Sequence, residues 1–213
     1  MTYKKIIASL CLITACTLTV HAQESILFHD NMTTLNNWSK GAFVTQDDTT
    51  SHAPYLKMGN GITVAKLSQS VTTDWTLTAD VRHTNYARGL WLGLFDAKMK
   101  QGYVFYWDSS LEKNHKGNGY FTICKIEIAD KPLNYKSQII KLSKNKSGSI
   151  KATGPAFTHV KLTWEAATGK ITLTVNDKLL QTVLDTSFKT FDKIILKGST
   201  FSLMDNVKLS VKQ

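Results

Sequence analysis

Aromatic and planar polar side chains gather in the middle of this sequence, where Arg82, Tyr86 and Arg88 precede Trp91, and Trp107 ends the next apolar run. Aromatic rings stack on the C–H faces of sugars, and guanidinium groups hydrogen-bond to the hydroxyls beside them. These residue types therefore indicate a ligand-binding surface for carbohydrate. We expect Trp91 and Trp107 to be its stacking rings and the other three side chains to line it; packing in a core is the competing interpretation for each aromatic.

Asp80, Arg82 and Glu127 are the candidates for acid–base chemistry, and they define an alternative function as a glycan-degrading hydrolase or lyase. A retaining glycosidase needs two carboxyl groups about 5 Å apart. Asp80 and Arg82 share one face of a predicted strand, whereas Glu127 follows Lys125 on another, so neither strand offers two acids side by side. The sequence therefore favours binding over cleavage, with no catalytic residues assigned.

The elements that must position these residues are strands. The segment from His159 to Leu180 predicts a β-hairpin that turns at Ala167–Lys170, because apolar and polar residues alternate on both arms. Similar segments occur at 25–30, 76–82, 90–95, 103–107, 120–128, 136–142, 188–197 and 201–211. No run of ten or more residues keeps a helical period with caps. The sequence predicts an all-β, antiparallel two-sheet sandwich.

Alternation also predicts which side chains fill the space between the two sheets. Nine are expected in one core: Leu77, Ala79, Val81, Leu90, Leu92, Leu94, Ile171, Leu173 and Val175. If the three leucines of 90–94 face inward, Trp91 faces outward. Of the residues in the apolar run Tyr103–Trp107, we expect Trp107 to share the outward side with Trp91.

The first 22 residues have the features of a signal peptide. Lys4 and Lys5 precede an apolar run that is too short and too polar to span a membrane. Cleavage after Ala22 would release one domain, residues 23–213, into the periplasm or the medium, with no transmembrane segment. Alternatively, Cys16 fits a lipoprotein signal and would anchor the chain to a lipid. Outside this segment the one cysteine is Cys124, which strand alternation predicts to be a small buried side chain.

The net charge of +10 comes almost entirely from lysine, since Arg82 and Arg88 are the only arginines. A solvated lysine surface is the plain interpretation, and attraction to an acidic polysaccharide is the sharper one. Nucleic acid is excluded as a partner, because the chain is expected to be exported and has no recognisable nucleic-acid motif.

The order of several motifs resembles the concanavalin A-like lectin/glucanase superfamily, including its laminin G-like and 3-keto-disaccharide hydrolase-like members. The motifs are Leu27–Asp30, Asp74–Arg82, Gly89–Asp96, Tyr103–Tyr106, Trp164–Asp177 and Met204–Leu209. The resemblance implies a jelly roll whose first and last strands are neighbours. That fold includes lectins, glycosidases, lyases and adhesion modules, so the resemblance implies a glycan partner without choosing among activities.

Neighbouring terminal strands would bring Asp30 close to Asp205, and two carboxylates with a few carbonyls can hold Ca²⁺. The competing and favoured interpretation is that each residue satisfies local backbone in a turn. No other cofactor is expected. A second alternative function, a protein-binding adhesion domain, predicts an exposed apolar patch.

Overall fold

The computed structural model describes residues 23–39, 42–45, 54–58, 61–83, 90–108, 118–128, 139–142, 150–151, 157–198 and 202–213. The predicted signal sequence with its Cys16 alternative, and the candidate ligand residues Tyr86 and Arg88, lie outside these ranges. No helix in the described ranges could span a membrane.

All regular elements of the described residues are strands. The first seven are β1 (Glu24–Asp30), β2 (Ala42–Thr45), β3 (Tyr55–Met58), β4 (Gly61–Val71), β5 (Trp75–His83), β6 (Leu90–Phe95) and β7 (Gln101–Asp108). The remaining eight are β8 (Asn118–Glu127), β9 (Ile139–Lys141), β10 (Ile150–Lys151), β11 (Thr158–Glu165), β12 (Lys170–Val175), β13 (Lys178–Leu184), β14 (Phe191–Gly198) and β15 (Ser202–Lys212).

These strands form two antiparallel sheets. The first sheet has the order β13-β12-β11-β5-β15-β3-β2, and β1 pairs with the C-terminal part of β15. The second has the order β10-β8-β7-β6-β14-β4, with β9 paired to β8. The predicted antiparallel two-sheet sandwich is confirmed, and so is the pairing of the first and last described strands.

One continuous core fills the space between the sheets. All nine side chains predicted for it belong to this core, and none is more than 3% exposed. They come from β5 and β12 of the first sheet and from β6 of the second. Alternation predicted them correctly because every second residue of a strand points to the same face. Cys124 is fully buried, as predicted, although on the outer face of the second sheet.

The hairpins take their shape from residues with positive φ. In the turn between β11 and β12, Gly169 has a φ of 66° and its amide donates to the Glu165 carbonyl at 2.8 Å. Asn176 and Asp177 connect β12 to β13 with φ values of 46° and 61°, as a two-residue turn of the I′ class requires. The turn between β11 and β12 falls where the sequence predicted it.

Candidate functional site

Trp91 faces away from the inter-sheet core, as predicted, but it is only 1% exposed. Its ring stacks on Phe95 with centroids 5.8 Å apart, and the Lys197 ammonium lies 5.9 Å from the ring centre. Both rings belong to a buried apolar cluster on the outer face of the second sheet, together with Val104 and Tyr106. In this structure Trp91 does not offer an open stacking face to a sugar.

The outward orientation expected for Trp107 is wrong. Trp107 is 3% exposed and lies in the inter-sheet core, where it stacks on Phe121 with centroids 5.6 Å apart. Register explains this, because Trp107 lies directly opposite the core residue Leu90, and cross-strand partners share a face. The segment Tyr103–Trp107 is apolar on both faces, so its hydrophobic pattern could not distinguish inside from outside.

The three residues of the enzyme alternative do not meet. Asp80 and Arg82 alternate with core residues on β5 and therefore point to the outer face of the first sheet. Glu127 lies on β8 of the second sheet, where its carboxylate is 3.3 Å from the Lys125 ammonium. The predicted set Asp80, Arg82 and Glu127 is therefore not a single site.

A different group of side chains surrounds Asp80. One carboxylate oxygen of Asp80 is 2.8 Å from Nδ1 of His159 on β11, and the other accepts a 2.8 Å hydrogen bond from Nδ2 of Asn206 on β15. Because a carboxylate accepts, Nδ1 of His159 carries the proton and Nε2 is left for another contact. The His159 side chain is 45% exposed. We call Asp80, Arg82, His159, Asp205 and Asn206 the Asp80 cluster.

Asp205 enters the cluster through an irregularity in β15. It lies directly opposite Asp80, and the register then shifts between Asp205 and Lys208. Asn206 takes up the extra residue with a φ of 50°, a conformation that asparagine tolerates better than most residues. Its amide donates to Oδ1 of Asp205 at 2.7 Å. The bulge thus places two carboxylates and one carboxamide side by side on one sheet face.

Arg82 differs from its neighbours in having no partner among the described residues. No hydrogen bond or ion pair joins its guanidinium to them, and its Nε is buried without an acceptor. Directly opposite on β15 is Leu203. On the β11 side, Phe157 comes one residue before Thr158, the partner of Val81, and so lies level with Arg82. The guanidinium is therefore flanked by apolar side chains.

Most of the remainder of this outer face is polar, although the exposed side chains of Ile26, Leu179 and Leu184 also lie on it, on the strands β1 and β13. Along β5, Thr78 and Thr76 follow Asp80, and Lys161 and Lys208 flank Thr78 in register. The next row consists of hydroxyl residues from five adjacent strands: Thr182, Thr172, Thr163, Thr76 and Ser210. We call this surface the polar face.

A depression of about 160 Å³ lies at the far end of the polar face. Ion pairs join Asp74 to Lys212 at 3.0 Å and Glu165 to Lys170 at 2.8 Å. Burial raises the pKa of Asp74, but the Ala166 amide and the Lys212 ammonium outweigh it, and the pKa is lowered overall. Both carboxylates are therefore charged at neutral pH and held by lysines.

Asp30 and Asp205 do not form a cation site together. Asp30 accepts hydrogen bonds from the Met32 amide, the Asn37 side chain and the Trp38 indole at 2.7, 2.8 and 3.0 Å. It pairs with the core residue Val207 and so points to the opposite side of the sheet from Asp205. Asp30 organises the turn after β1, as the favoured interpretation predicted. Among the described residues no three acidic, histidine or cysteine side chains are grouped to hold a metal.

His159 and Asn206 were not among the site residues predicted from the sequence. His159 stood on the polar side of the clearest hairpin, and this was the available signal for it. Its partner Asp80 is 79 residues away, and Asn206 depends on a bulge that the pattern of β15 does not reveal. These contacts follow from sheet order, which periodicity alone does not give.

No protein-family model matches this chain, and no curated protein matches its sequence. Solved structures do match. The carbohydrate-binding module CBM66 from Bacillus subtilis superposes with a TM-score of 0.52 at 15% identity, over 80% of this chain and 93% of that chain. β-Agarase B from Zobellia galactanivorans has a TM-score of 0.58 at 10% identity, over 89% of this chain and 95% of that chain.

A third similar structure is a protein of unknown function with a galectin-like fold from Bacillus subtilis. Its TM-score is 0.55 at 10% identity, over 89% of this chain and 98% of that chain. At these identities the similarity concerns the fold. The chain has a concanavalin A-like, galectin-like jelly-roll fold, and the resemblance read from the sequence is confirmed at that level.

Proposed function

We propose that this jelly-roll chain is an exported carbohydrate-binding domain that holds its glycan on the polar face of the first sheet, with the Asp80 cluster at one end. The observation that carries the proposal is the contrast between the two outer faces. The second sheet presents Trp91, Phe95 and their neighbours, which are buried. The outer face of the first sheet carries mostly charged and hydroxyl side chains between β11 and β15, and His159 among them is half exposed.

The chemistry of the polar face suits sugar hydroxyls. Asp80, His159 and Asn206 are planar hydrogen-bonding groups that hold one another in fixed orientations. Preorganised groups lose less conformational entropy when a ligand binds. Phe157, partly buried at the level of Arg82, supplies an aromatic edge beside them. The similar structures, a carbohydrate-binding module and an agarase by name, support a glycan as the ligand.

A glycan array followed by titration tests this proposal. We expect His159→Ala to weaken the binding of the strongest array ligand by about tenfold, as expected for the loss of a central contact. Gln69→Ala, an exposed change on β4 of the second sheet, is the matched control and should leave affinity unchanged. Equal affinities for wild type and a folded His159→Ala variant would move the site away from the polar face.

One specific observation favours a second candidate function, a glycan lyase. The Asp80 carboxylate orients His159 and leaves its Nε2 free to take a proton, as general bases in enzymes are oriented. In a β-elimination on a uronate, Nε2 would remove the C5 proton and the C5–H electron pair would form the C4–C5 double bond. The C4–O4 bond would break with its electron pair on O4, and O4 would leave as an alcohol after taking a proton from water.

The ultraviolet absorbance of the unsaturated product distinguishes the lyase from the binding domain. If the chain only binds glycans, incubation with a polyuronate should produce no such absorbance. Incubation with a neutral β-glucan should release no reducing ends. Turnover that Asp80→Asn reduces sharply would establish the enzyme instead.

The adhesion alternative finds little support on the described surface. The large apolar side chains exposed there are Ile26, Ile140, Leu179 and Leu184, and they belong to three different strands. Single exposed apolar residues are normal on soluble proteins, whereas a protein-binding site needs a contiguous patch.

A further inference from the structure

We propose that Arg82 is the anchor for an anionic group, so that the ligand of the polar face is an acidic glycan bearing uronate carboxylates or sulfate esters. This inference rests on the proposed function and adds the chemical class of its ligand. It begins from the guanidinium of Arg82, which has no hydrogen bond or ion pair with any described residue. Buried donors in folded proteins are nearly always paired, and its Nε is an exception.

The nearest acid on the same strand does not serve as the partner of Arg82. The two oxygens of Asp80 accept hydrogen bonds from His159 and Asn206, both at 2.8 Å. The next acid, Asp205, accepts the amide of Asn206 through Oδ1. His159 and Asn206 therefore supply the hydrogen bonds to the carboxylates of the cluster. The guanidinium of Arg82 is left to bind an anionic group of a ligand.

The surroundings of Arg82 strengthen attraction to an anion. Its register neighbours Leu203 and Phe157 are apolar. Because apolar neighbours exclude water, the local dielectric constant at the guanidinium is lowered, and its Coulomb attraction to an anion is stronger. Lys57 lies in the same row, one strand beyond Leu203. Lys161 and Lys208 lie on either side of Thr78, two rows along the same face from Arg82. Arg82 and these three lysines are four cations on the face that holds the two carboxylates of Asp80 and Asp205.

The geometry of the guanidinium distinguishes carboxylate or sulfate from a neutral hydroxyl. Its planar fork can donate two parallel hydrogen bonds to two oxygens of one anionic group, which a lysine ammonium cannot do. A sugar hydroxyl offers a single oxygen and no charge. We therefore expect the acidic substituent, rather than the sugar ring, to lie against Arg82.

The experiment uses paired ligands that differ chiefly in charge: a polyuronate and its methyl ester, and a sulfated glycan and its desulfated form. Wild-type protein should bind one acidic member at least about tenfold more tightly than its neutral counterpart, by the usual relation between affinity and free energy. Equal affinity within both pairs would overturn the proposal whatever any variant does, because the ligand alone is changed.

Variants then locate the anion. Arg82→Gln should remove the preference for the acidic ligand, and Arg82→Lys should restore only part of it, because charge returns without the fork. Lys66→Gln, which removes one positive charge from the exposed side of β4 in the second sheet, should leave the preference intact. An equal loss in Lys66→Gln would show attraction to net charge rather than a site at Arg82.

The outcomes separate this inference from the proposed function. One outcome is that the protein binds a neutral glycan, that His159→Ala abolishes this binding, and that Arg82→Gln leaves it unchanged. This outcome would support the polar face as the site and overturn the proposal of an acidic ligand. If neither variant affects any glycan, both proposals fail. The folding of each variant is checked by its thermal transition.

Discussion

Tyr103 shows how one buried hydroxyl fixes a loop at the margin of the core. Its phenol donates to Oδ1 of Asp185 at 2.5 Å and accepts the Phe188 amide at 3.2 Å. Burial, followed by the Asp185 carboxylate, raises the pKa of Tyr103 well above its usual range. The phenol therefore stays neutral and remains a donor, and the segment between β13 and β14 is held to β7.

Tyr103→Phe should lower the free energy of unfolding by about 1–3 kcal/mol, because it leaves the Asp185 carboxylate and the Phe188 amide with one partner fewer in a partly buried place. Denaturant titration at pH 7 measures the change. The ring packing of Tyr103 against Phe188 is retained in the variant, so an unchanged midpoint would mean that the hydrogen bonds contribute nothing.

Acid should weaken the same contact. Burial raises the pKa of Asp185, but hydrogen bonds from Tyr103 and Ser187 and the charge of Lys125 outweigh it and lower the pKa overall. A carboxyl with a depressed folded pKa contributes stability above its unfolded value of about 3.9, and this contribution is lost as pH falls through the folded pKa. Below about pH 4 the free energy of unfolding of the wild type should therefore fall more than that of Asp185→Asn. If the two proteins gave parallel plots of unfolding free energy against pH, the prediction would be wrong.

Residue-level prediction succeeded where a single strand decided the answer. The nine core side chains and Cys124 required only alternation. Trp107 failed because both faces of its strand are apolar, and His159 was missed because its partner Asp80 comes from another strand. In each failure the missing information was the register between strands.

At the scale of elements, Gly93 permits the close packing of β6 against β7. A Cβ at Gly93 would lie 1.9 Å from the Tyr103 carbonyl oxygen and 2.6 Å from a methyl of Val104. Trp91 and Phe95, on either side of Gly93 along the strand, stack over this position. The glycine therefore allows two large rings and a neighbouring backbone to occupy one small region.

Gly93→Ala should destabilise the protein by at least about 1–3 kcal/mol, because the added methyl must push β6 and β7 apart. Gly61→Ala on β4 is the matched control, since a Cβ there meets nothing within 4 Å, and its effect should be within about 0.5 kcal/mol. Thermal melts of the two variants make the comparison. Similar melting temperatures for both would contradict the crowding.

The prediction of elements was best for strands with strong alternation. The hairpin β11–β12 and strands β5, β6 and β7 agree with the structure within a residue or two at their ends. Strand β4 was missed because Thr63 and Ala65 supply part of its inward face, and small or polar inward residues weaken the hydrophobic signal. Sheet order, which decides the candidate site, was beyond the reach of any local pattern.

At the scale of the whole molecule, both sheets contribute side chains to a single core. A substitution that weakens the packing of one sheet should therefore destabilise the other sheet as well. Leu92 of the second sheet and Leu77 of the first are members of the same buried cluster. Damage to either should therefore affect the entire cooperative unit.

Leu92→Ala should lower the free energy of unfolding by about 2–5 kcal/mol through lost burial and a residual cavity. Tryptophan fluorescence and far-ultraviolet circular dichroism should report the same shifted midpoint, because the sheets unfold together. Two separated transitions, with one at the wild-type position, would show that the sheets are independently stable.

The ladder between β1 and β15 has a consequence for how the chain can be connected. The amide of Gln213 donates to the carbonyl of Gln23 at 3.2 Å, so these two residues are immediate neighbours. In a chain cut to residues 23–213, a short peptide could join these two residues covalently, and the resulting ring could be reopened at the exposed turn Asn176–Asp177. Such a circular permutant would keep all fifteen described strands and would begin and end at an exposed hairpin tip.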